Sequence, residues 1–128
     1  MAVICGSLRK ASTNAGIIKA IYETKDQRFY FHWVEIIEFP VFNEDIEALG
    51  IPAPVQAARD IISKADAILF GVPEYNSSIS APLKNAYDWI SREDKNKYSP
   101  FTEKIAAMVS SAGVQCGRNS QEHFRKCV

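Results

Sequence analysis

Ala2-Val3-Ile4-Cys5-Gly6-Ser7-Leu8-Arg9-Lys10-Ala11-Ser12-Thr13-Asn14 opens with a short apolar run, continues as a polar loop carrying a glycine, and leads into the amphipathic run Ile17-Ile18-Ala20-Ile21. The pattern reads as a buried strand, a loop and a helix. Backbone N–H groups at a helix N-terminus have no intrahelical acceptors and point, with the helix dipole, at whatever sits in the loop. Such a loop is a natural anion site. Ser7, Ser12, Thr13 and Asn14 add neutral donors, and Arg9 adds a planar charged fork suited to phosphate. The local alternative is that Ser12 or Asn14 caps the helix while Arg9 is solvated; the cluster taken together favours the anion site.

Outward from this loop, the chain alternates strand and helix. The first helix spans roughly Ser12 to Thr24. Arg28 to Ile37, rich in aromatic and β-branched residues, predicts a second strand that Pro40 ends. Val41 to Pro54 reads as a loop with one short turn, leading into a helix from about Pro54 to Lys64 in which Val55, Ala58, Ile61 and Ile62 share a face. Ala65 to Val72 is apolar almost throughout, as a central parallel strand covered on both faces should be. A second polar loop, Pro73-Glu74-Tyr75-Asn76-Ser77-Ser78-Ile79-Ser80, enters a helix at about Ala81-Pro82. There Leu83, Tyr87 and Ile90 form an apolar stripe, Ala86 and Trp89 lie round the side, and Lys84 and Asp88 are spaced for an i,i+4 pair. Trp89 either completes the core or contributes to a subunit interface. A fourth strand, Lys104 to Val109, runs into the loop Ser110 to Arg118, and a last helix begins near Asn119.

Four strands joined by crossover helices, without hairpin signals, predict an α/β fold with a doubly wound parallel sheet. With strand order 2-1-3-4, the order reverses between strands one and three. The loops after strands one, three and four all emerge at the carboxyl edge, where ligands of such sheets bind.

The 128 residues fit one domain, with 47% hydrophobic and 23% charged residues. Fifteen basic and fifteen acidic residues cancel, so no global field recruits nucleic acid or an anionic membrane. No apolar run approaches the roughly twenty residues of a membrane span. The cysteines at 5, 116 and 127 form no CxxC pair and no metal-ligand spacing, which points to a reducing, cytoplasmic setting with Cys5 as a small buried hydrophobe. His32 reads as a strand-edge residue and His123 as a helix-surface one; no metal site is expected.

The ligand is narrowed by elimination. No GxGxxG follows the first strand and no GxxxxGK[ST] occurs, which argues against a dinucleotide site and a P-loop. A phospho-acceptor aspartate is missing after strand three, where Val72-Pro73-Glu74 stands. A monophosphate carrying a large flat ring fits the loops best, with flavin mononucleotide (FMN) as the example.

Four segments, GSLRKASTN (6–14), FPVFNEDIE (39–47), GVPEYNSSISAPLKNAYDWISR (71–92) and SSAGVQCGRNSQEHFRK (110–126), resemble the NADPH-dependent FMN reductase family, which includes quinone, chromate and azo-dye reductases. The resemblance covers nearly the whole chain. It implies a flavodoxin-like fold, bound FMN, and hydride from NADPH or NADH delivered to quinones or similar small electrophiles. By resemblance, Ser7, Arg9, Ser12 and Asn14 would meet the FMN phosphate. Pro73, Glu74, Tyr75 and Asn76 would border the isoalloxazine and ribityl groups, and Ser110, Ser111 and Gly113 would approach the pyrimidine edge. No catalytic acid or base is implied, since the chemistry is flavin-centred. Glu74 in particular reads as a helix N-terminal partner or an interface charge. The resemblance also implies a homodimer or homotetramer built on the helix containing Lys84, Asp88 and Trp89.

The chain departs from the family pattern at two places. Ala11 stands where relatives usually have glycine, and a position with φ > 0 would cost on the order of 1 kcal/mol. Relatives continue through a fifth strand and a last helix, so residues 1–128 read as a single flavodoxin-like domain lacking its C-terminal part, with a hydrophobic edge exposed at strand four. Besides the reductase, an electron-carrying flavodoxin and a truncated, non-catalytic subunit modulating a full-length partner are the alternative functions.

Overall fold

In the computed structural model, which describes residues 1–24, 28–93, 98–114 and 116–128, apolar runs and loop signals translate into alternating elements. The strands are β1 (Ala2–Cys5), β2 (His32–Trp33), β3 (Ala67–Gly71), β4 (Glu74–Tyr75), β5 (Ser78–Ile79) and β6 (Ile105–Val109). The helices are α1 (Thr13–Glu23), α2 (Glu44–Ala48), α3 (Ala53–Ser63), α4 (Ala81–Ile90) and α5 (Arg118–Phe124). β2, β1, β3 and β6 lie side by side in that order, all parallel, which is the expected 2-1-3-4 arrangement with β6 as its fourth strand. Ala2 to Cys5 pair with Ile68 to Gly71, and Ala67 to Gly71 with Ile105 to Val109.

Alternation along the central strands sorts side chains into two layers. Ala2 and Ile4 of β1, with Ile68 and Phe70 of β3, join Val55, Ala58 and Ile62 of α3, Leu83, Ala86, Trp89 and Ile90 of α4, and Phe124 of α5. Val3 and Leu69 face the other way and meet Ile18 of α1. Helices therefore cover both faces. Trp89 is wholly buried, edge-on to Phe42 at 4.9 Å, and its indole N–H donates to the Pro40 carbonyl at 2.8 Å. Its side chain completes the core and leaves Lys84 and Asp88, which pair with each other, on the outer face of α4. Arg59 of α3, also buried, donates to the carbonyls of Ile90 and Arg92 at 2.9 and 2.8 Å, a cation placed where the α4 dipole is negative.

Two expectations need correction. The second strand is much shorter than Arg28 to Ile37: only His32 and Trp33 pair with β1, against Ala2 and Val3, although β1 itself runs on to Cys5, and Phe29 and Tyr30 are left exposed. The loop after β3 also contains a hairpin that the sequence did not signal. β4 and β5 pair antiparallel, Glu74 with Ile79 and Tyr75 with Ser78, around Asn76 and Ser77 at φ 52° and 58°. Positive φ at both central residues is the type I′ requirement, met here without glycine.

β6 is an edge strand whose sequence, IAAMV, is that of a covered one, and Ile105 is 75% exposed. An apolar edge is a template for pairing with another chain. Ile105→Lys is expected to leave the unfolding free energy within about 0.5 kcal/mol while raising the concentration at which the protein self-associates, as read by light scattering.

Candidate functional site

The three loops expected to carry the site emerge together at the carboxyl edge of the sheet and are bonded to one another. Gly6 is the first crossing point. Its N–H donates to the Gly71 carbonyl at 2.9 Å, and its carbonyl accepts from the Ser80 hydroxyl at 2.7 Å. Ser80 is buried and also caps α4 by accepting from Leu83 N–H at 3.4 Å. A Cβ on Gly6 would lie 2.7 Å from Leu83 Cβ, 2.8 Å from Ser80 Oγ and 2.9 Å from Pro73 Cδ, so the first loop passes the second only because residue 6 has no side chain.

Asn14 is the second crossing point, and it lies 4% exposed. Its side-chain amide donates to the Ser111 carbonyl at 3.1 Å and its Oδ1 accepts from the Ser111 N–H at 2.9 Å. The side chain thus acts as a peptide partner for the loop after β6. Asn14→Ala leaves both backbone groups of Ser111 unanswered and is expected to cost about 2 kcal/mol, read as a lower urea midpoint at unchanged slope. Asn14→Asp keeps the acceptor but sets a carboxylate against the Ser111 carbonyl. This raises the folded-state pKa, so the penalty is largest at neutral pH and shrinks as the carboxyl protonates and donates again.

The other residues expected at the phosphate divide into two sets. Ser12 is the N-cap of α1, with its Oγ accepting from Ala15 N–H at 3.1 Å, which is the local role weighed from the sequence. Ser7 is half-buried. Cys5, half-buried rather than fully so, brings its sulfur to 4.0 Å from Ser12 Oγ. Arg9 and Lys10 are exposed and belong to none of the ion pairs among the described residues. The first turn of α1 carries no acidic side chain, so nothing there opposes an anion. Ala11 is not among the positive-φ residues, and its methyl carries no left-handed strain.

In the second loop Pro73 is buried, Glu74 half-buried, and Tyr75 and Asn76 exposed on the hairpin. The Glu74 carboxylate is engaged at the start of α5, accepting from Ser120 N–H at 3.1 Å and from the Asn119 amide at 3.4 Å. In the third loop the Ser110 hydroxyl donates to the Val72 carbonyl, Ser111 meets Asn14, and Gly113 is exposed; Gln115 of that motif lies outside the described residues. Gly6, Ser80, Gly117, Asn119 and Ser120 went unassigned in the sequence. Two of these carried a local signal: Ser80 as a serine directly before the helix start at Ala81-Pro82, and Gly117 as a glycine directly before the last helix.

Beside the first loop, Leu8, Phe39, Val41, Phe42 and Pro82 line an open, largely apolar groove of about 490 Å³ whose outer wall carries Lys84 and Asp88. Asn85 holds the wall in place, accepting from Phe42 N–H at 2.7 Å and donating to the Pro40 carbonyl at 2.9 Å.

The family model for NADPH-dependent FMN reductase matches residues 1–128. The chain belongs to this family. Among its relatives, a protein of Oryza sativa subsp. japonica named probable NADPH:quinone oxidoreductase 1 is 44% identical, over 98% of this chain and 64% of its own length. The NAD(P)H:quinone oxidoreductase of Solanum tuberosum is likewise 44% identical, over 98% of this chain and 65% of its own length. The chain therefore spans slightly less than two thirds of these relatives. Of solved structures, FerB, a flavoenzyme NAD(P)H:(acceptor) oxidoreductase from Paracoccus denitrificans, superposes with a TM-score of 0.88 at 33% identity, covering 98% of this chain and 68% of FerB. The FMN reductase fold and the flavodoxin-like sheet of this chain are thus the same arrangement.

Proposed function

We propose that this FMN reductase family member binds FMN across the three joined loops and transfers reducing equivalents from NADPH or NADH to quinones or similar small electrophiles. The observation that carries this reading is the junction at Gly6, where a side-chain-free backbone brings an anion-ready helix N-terminus against the two loops of the sheet's switch point. The residues fit the cofactor chemically. An unopposed α1 N-terminus with Ser7, Ser12 and Arg9 suits a phosphate, and the backbone of residues 73–76 and 110–113 offers polar groups to a ring. Bound FMN would supply the hydride and electron chemistry. The chain's own tasks are to hold the phosphate, to orient the ring by Asn14-braced backbone at Ser111, and to keep one ring face free for donor and acceptor in turn.

A homodimer or homotetramer built on α4 belongs to the same reading. It is supported by the outward Lys84 and Asp88 and by the apolar groove beside Leu8 and Val41; Trp89, wholly buried, belongs to the core and presents no surface to a second subunit. A cytoplasmic site is supported by cysteines that are all free, and no helix among the described residues is long and apolar enough to cross a membrane. The test is the visible spectrum of the purified protein with FMN and then NADPH without oxygen. A perturbed flavin spectrum that bleaches with NADPH and returns with a quinone is the expected result; free-flavin absorption that NADPH leaves unchanged overturns the reading.

A further inference from the structure

α5 begins in a way that leaves its N-terminus without a cap of its own. Its N-cap residue, Gly117, sits at φ 76°, and a Cβ there would lie 1.7 Å from Ser110 Oγ. The position must be glycine, so no side chain is available to answer the first N–H groups of the helix. The missing acceptor comes from another element: the Glu74 carboxylate reaches over from β4 to the Ser120 backbone N–H, and it also accepts from the side-chain amide Nδ2 of Asn119. A negative charge at that helix end is also favoured by the dipole.

The same helix grips the other strand of the hairpin, where Ser78 Oγ and His123 Nδ1 are 2.8 Å apart. β4 and β5 form a sheet of their own with no strand pairing to the main one. The start of α5 is in turn fastened to the end of β3, because the Ser120 hydroxyl donates to the Gly117 carbonyl at 2.9 Å and Ser110 and Ser120 both reach the Val72 carbonyl. Hairpin, α5 and residues 110–114 and 116–117 therefore form one corner, and the only carboxylate–backbone bond in it, among the described residues, is that of Glu74.

We propose that Glu74 is a positioning residue. By capping α5 in place of Gly117, its carboxylate sets the spacing between the hairpin and residues 110–113, the two segments that would border the flavin ring. This rests on the proposed FMN site, although the latch itself is a property of the chain without cofactor. Glu74 touches no reacting atom in this role; it acts through Ser120 and the loop that Ser120 anchors.

Amide hydrogen exchange of the cofactor-free protein decides the latch first. Glu74→Ala is expected to speed exchange about tenfold at Ser120 and, through the loop, at Ser111 and Cys116, whose N–H groups are bonded to Asn14 and to the Gly113 carbonyl. FMN titration follows, with an expected rise in Kd of about tenfold for Glu74→Ala and about threefold for Glu74→Gln, which keeps one acceptor oxygen without the charge. Val55→Ala, a loss of buried volume in α3, serves as the control that lowers stability without moving the FMN Kd. Faster exchange confined to Ser120, or FMN affinity equal to wild type in both variants, overturns the proposal. Should Glu74→Ala fail to fold, wild-type exchange at Ser111 and wild-type affinity in Glu74→Gln overturn it equally. A wild-type protein that binds no flavin sinks the proposed function alone, and the exchange pattern then decides the latch by itself.

Discussion

Gly117→Ala is expected to lower stability by about 3 kcal/mol or more and to release the start of α5, because two separate costs fall on one methyl group. The first is conformational: at φ 76° an L side chain crowds its own carbonyl, a penalty of about 1–2 kcal/mol. The second is steric, since the new Cβ would stand 1.7 Å from Ser110 Oγ and 2.4 Å from Ser110 Cβ. Ser110 cannot rotate away freely, since its hydroxyl is bonded to the Val72 carbonyl at the end of the central strand. The two costs separate experimentally. Pairing Gly117→Ala with Ser110→Gly removes both clashing atoms and should recover all but the conformational part, so the double variant lies about 1–2 kcal/mol below Ser110→Gly alone in urea unfolding. Full additivity of the two single changes would mean that the loop relaxes around the methyl and that the close approach does not constrain it.

What could be read from sequence and what could not divide along the range of the interactions. The Ser12 cap and the helical spacing after it are local, and α1 falls where they put it, from Thr13 to Glu23. The apolar run 65–72 has no alternative to a covered central strand, and β3 lies within it. The hairpin was invisible because Asn76-Ser77 is not a glycine turn; its left-handed geometry is held from outside by α5, through Glu74 and Ser78. Residues 28–37 carry β-forming side chains, yet only His32 and Trp33 pair with β1, which itself runs on to Cys5, so side-chain propensity did not set the length of this edge strand. In the site, Asn14 was readable as a polar residue at a helix start, but its two bonds go to Ser111, 97 positions away. Trp89 shows the same limit. Helical spacing put it round the side of the stripe, and only the strap at Pro40 and Phe42 turns that side into core.

Gly6→Ala and Gly16→Ala make the same chemical change ten residues apart and are expected to move stability in opposite directions. Gly16 lies within α1 with nothing within 4 Å of an added Cβ, so alanine there reduces the freedom of the unfolded chain and should stabilise by about 0.5–1 kcal/mol. At Gly6 the methyl would meet three atoms under 3.0 Å, and each is fixed for a different reason. Leu83 Cβ is part of the α4 backbone frame, Pro73 Cδ belongs to a ring, and Ser80 Oγ is held between the Gly6 carbonyl and the Leu83 N–H. Moving Ser80 loses the α4 cap and the tie between the first two loops together. Overpacking of this kind costs about 1–3 kcal/mol, and loss of the cap adds about 1 kcal/mol, so a total near 3 kcal/mol is expected. Ser80→Gly in the Gly6→Ala background removes one clash but not the other two, and should recover less than half. Because the same crossing brings the anion-ready helix end to the second loop, FMN affinity should fall with Gly6→Ala even in stabilising osmolyte, where the protein remains folded. Affinity that recovers fully as folding is restored would show that Gly6 serves the fold alone, and that the loops can shift without consequence for the cofactor.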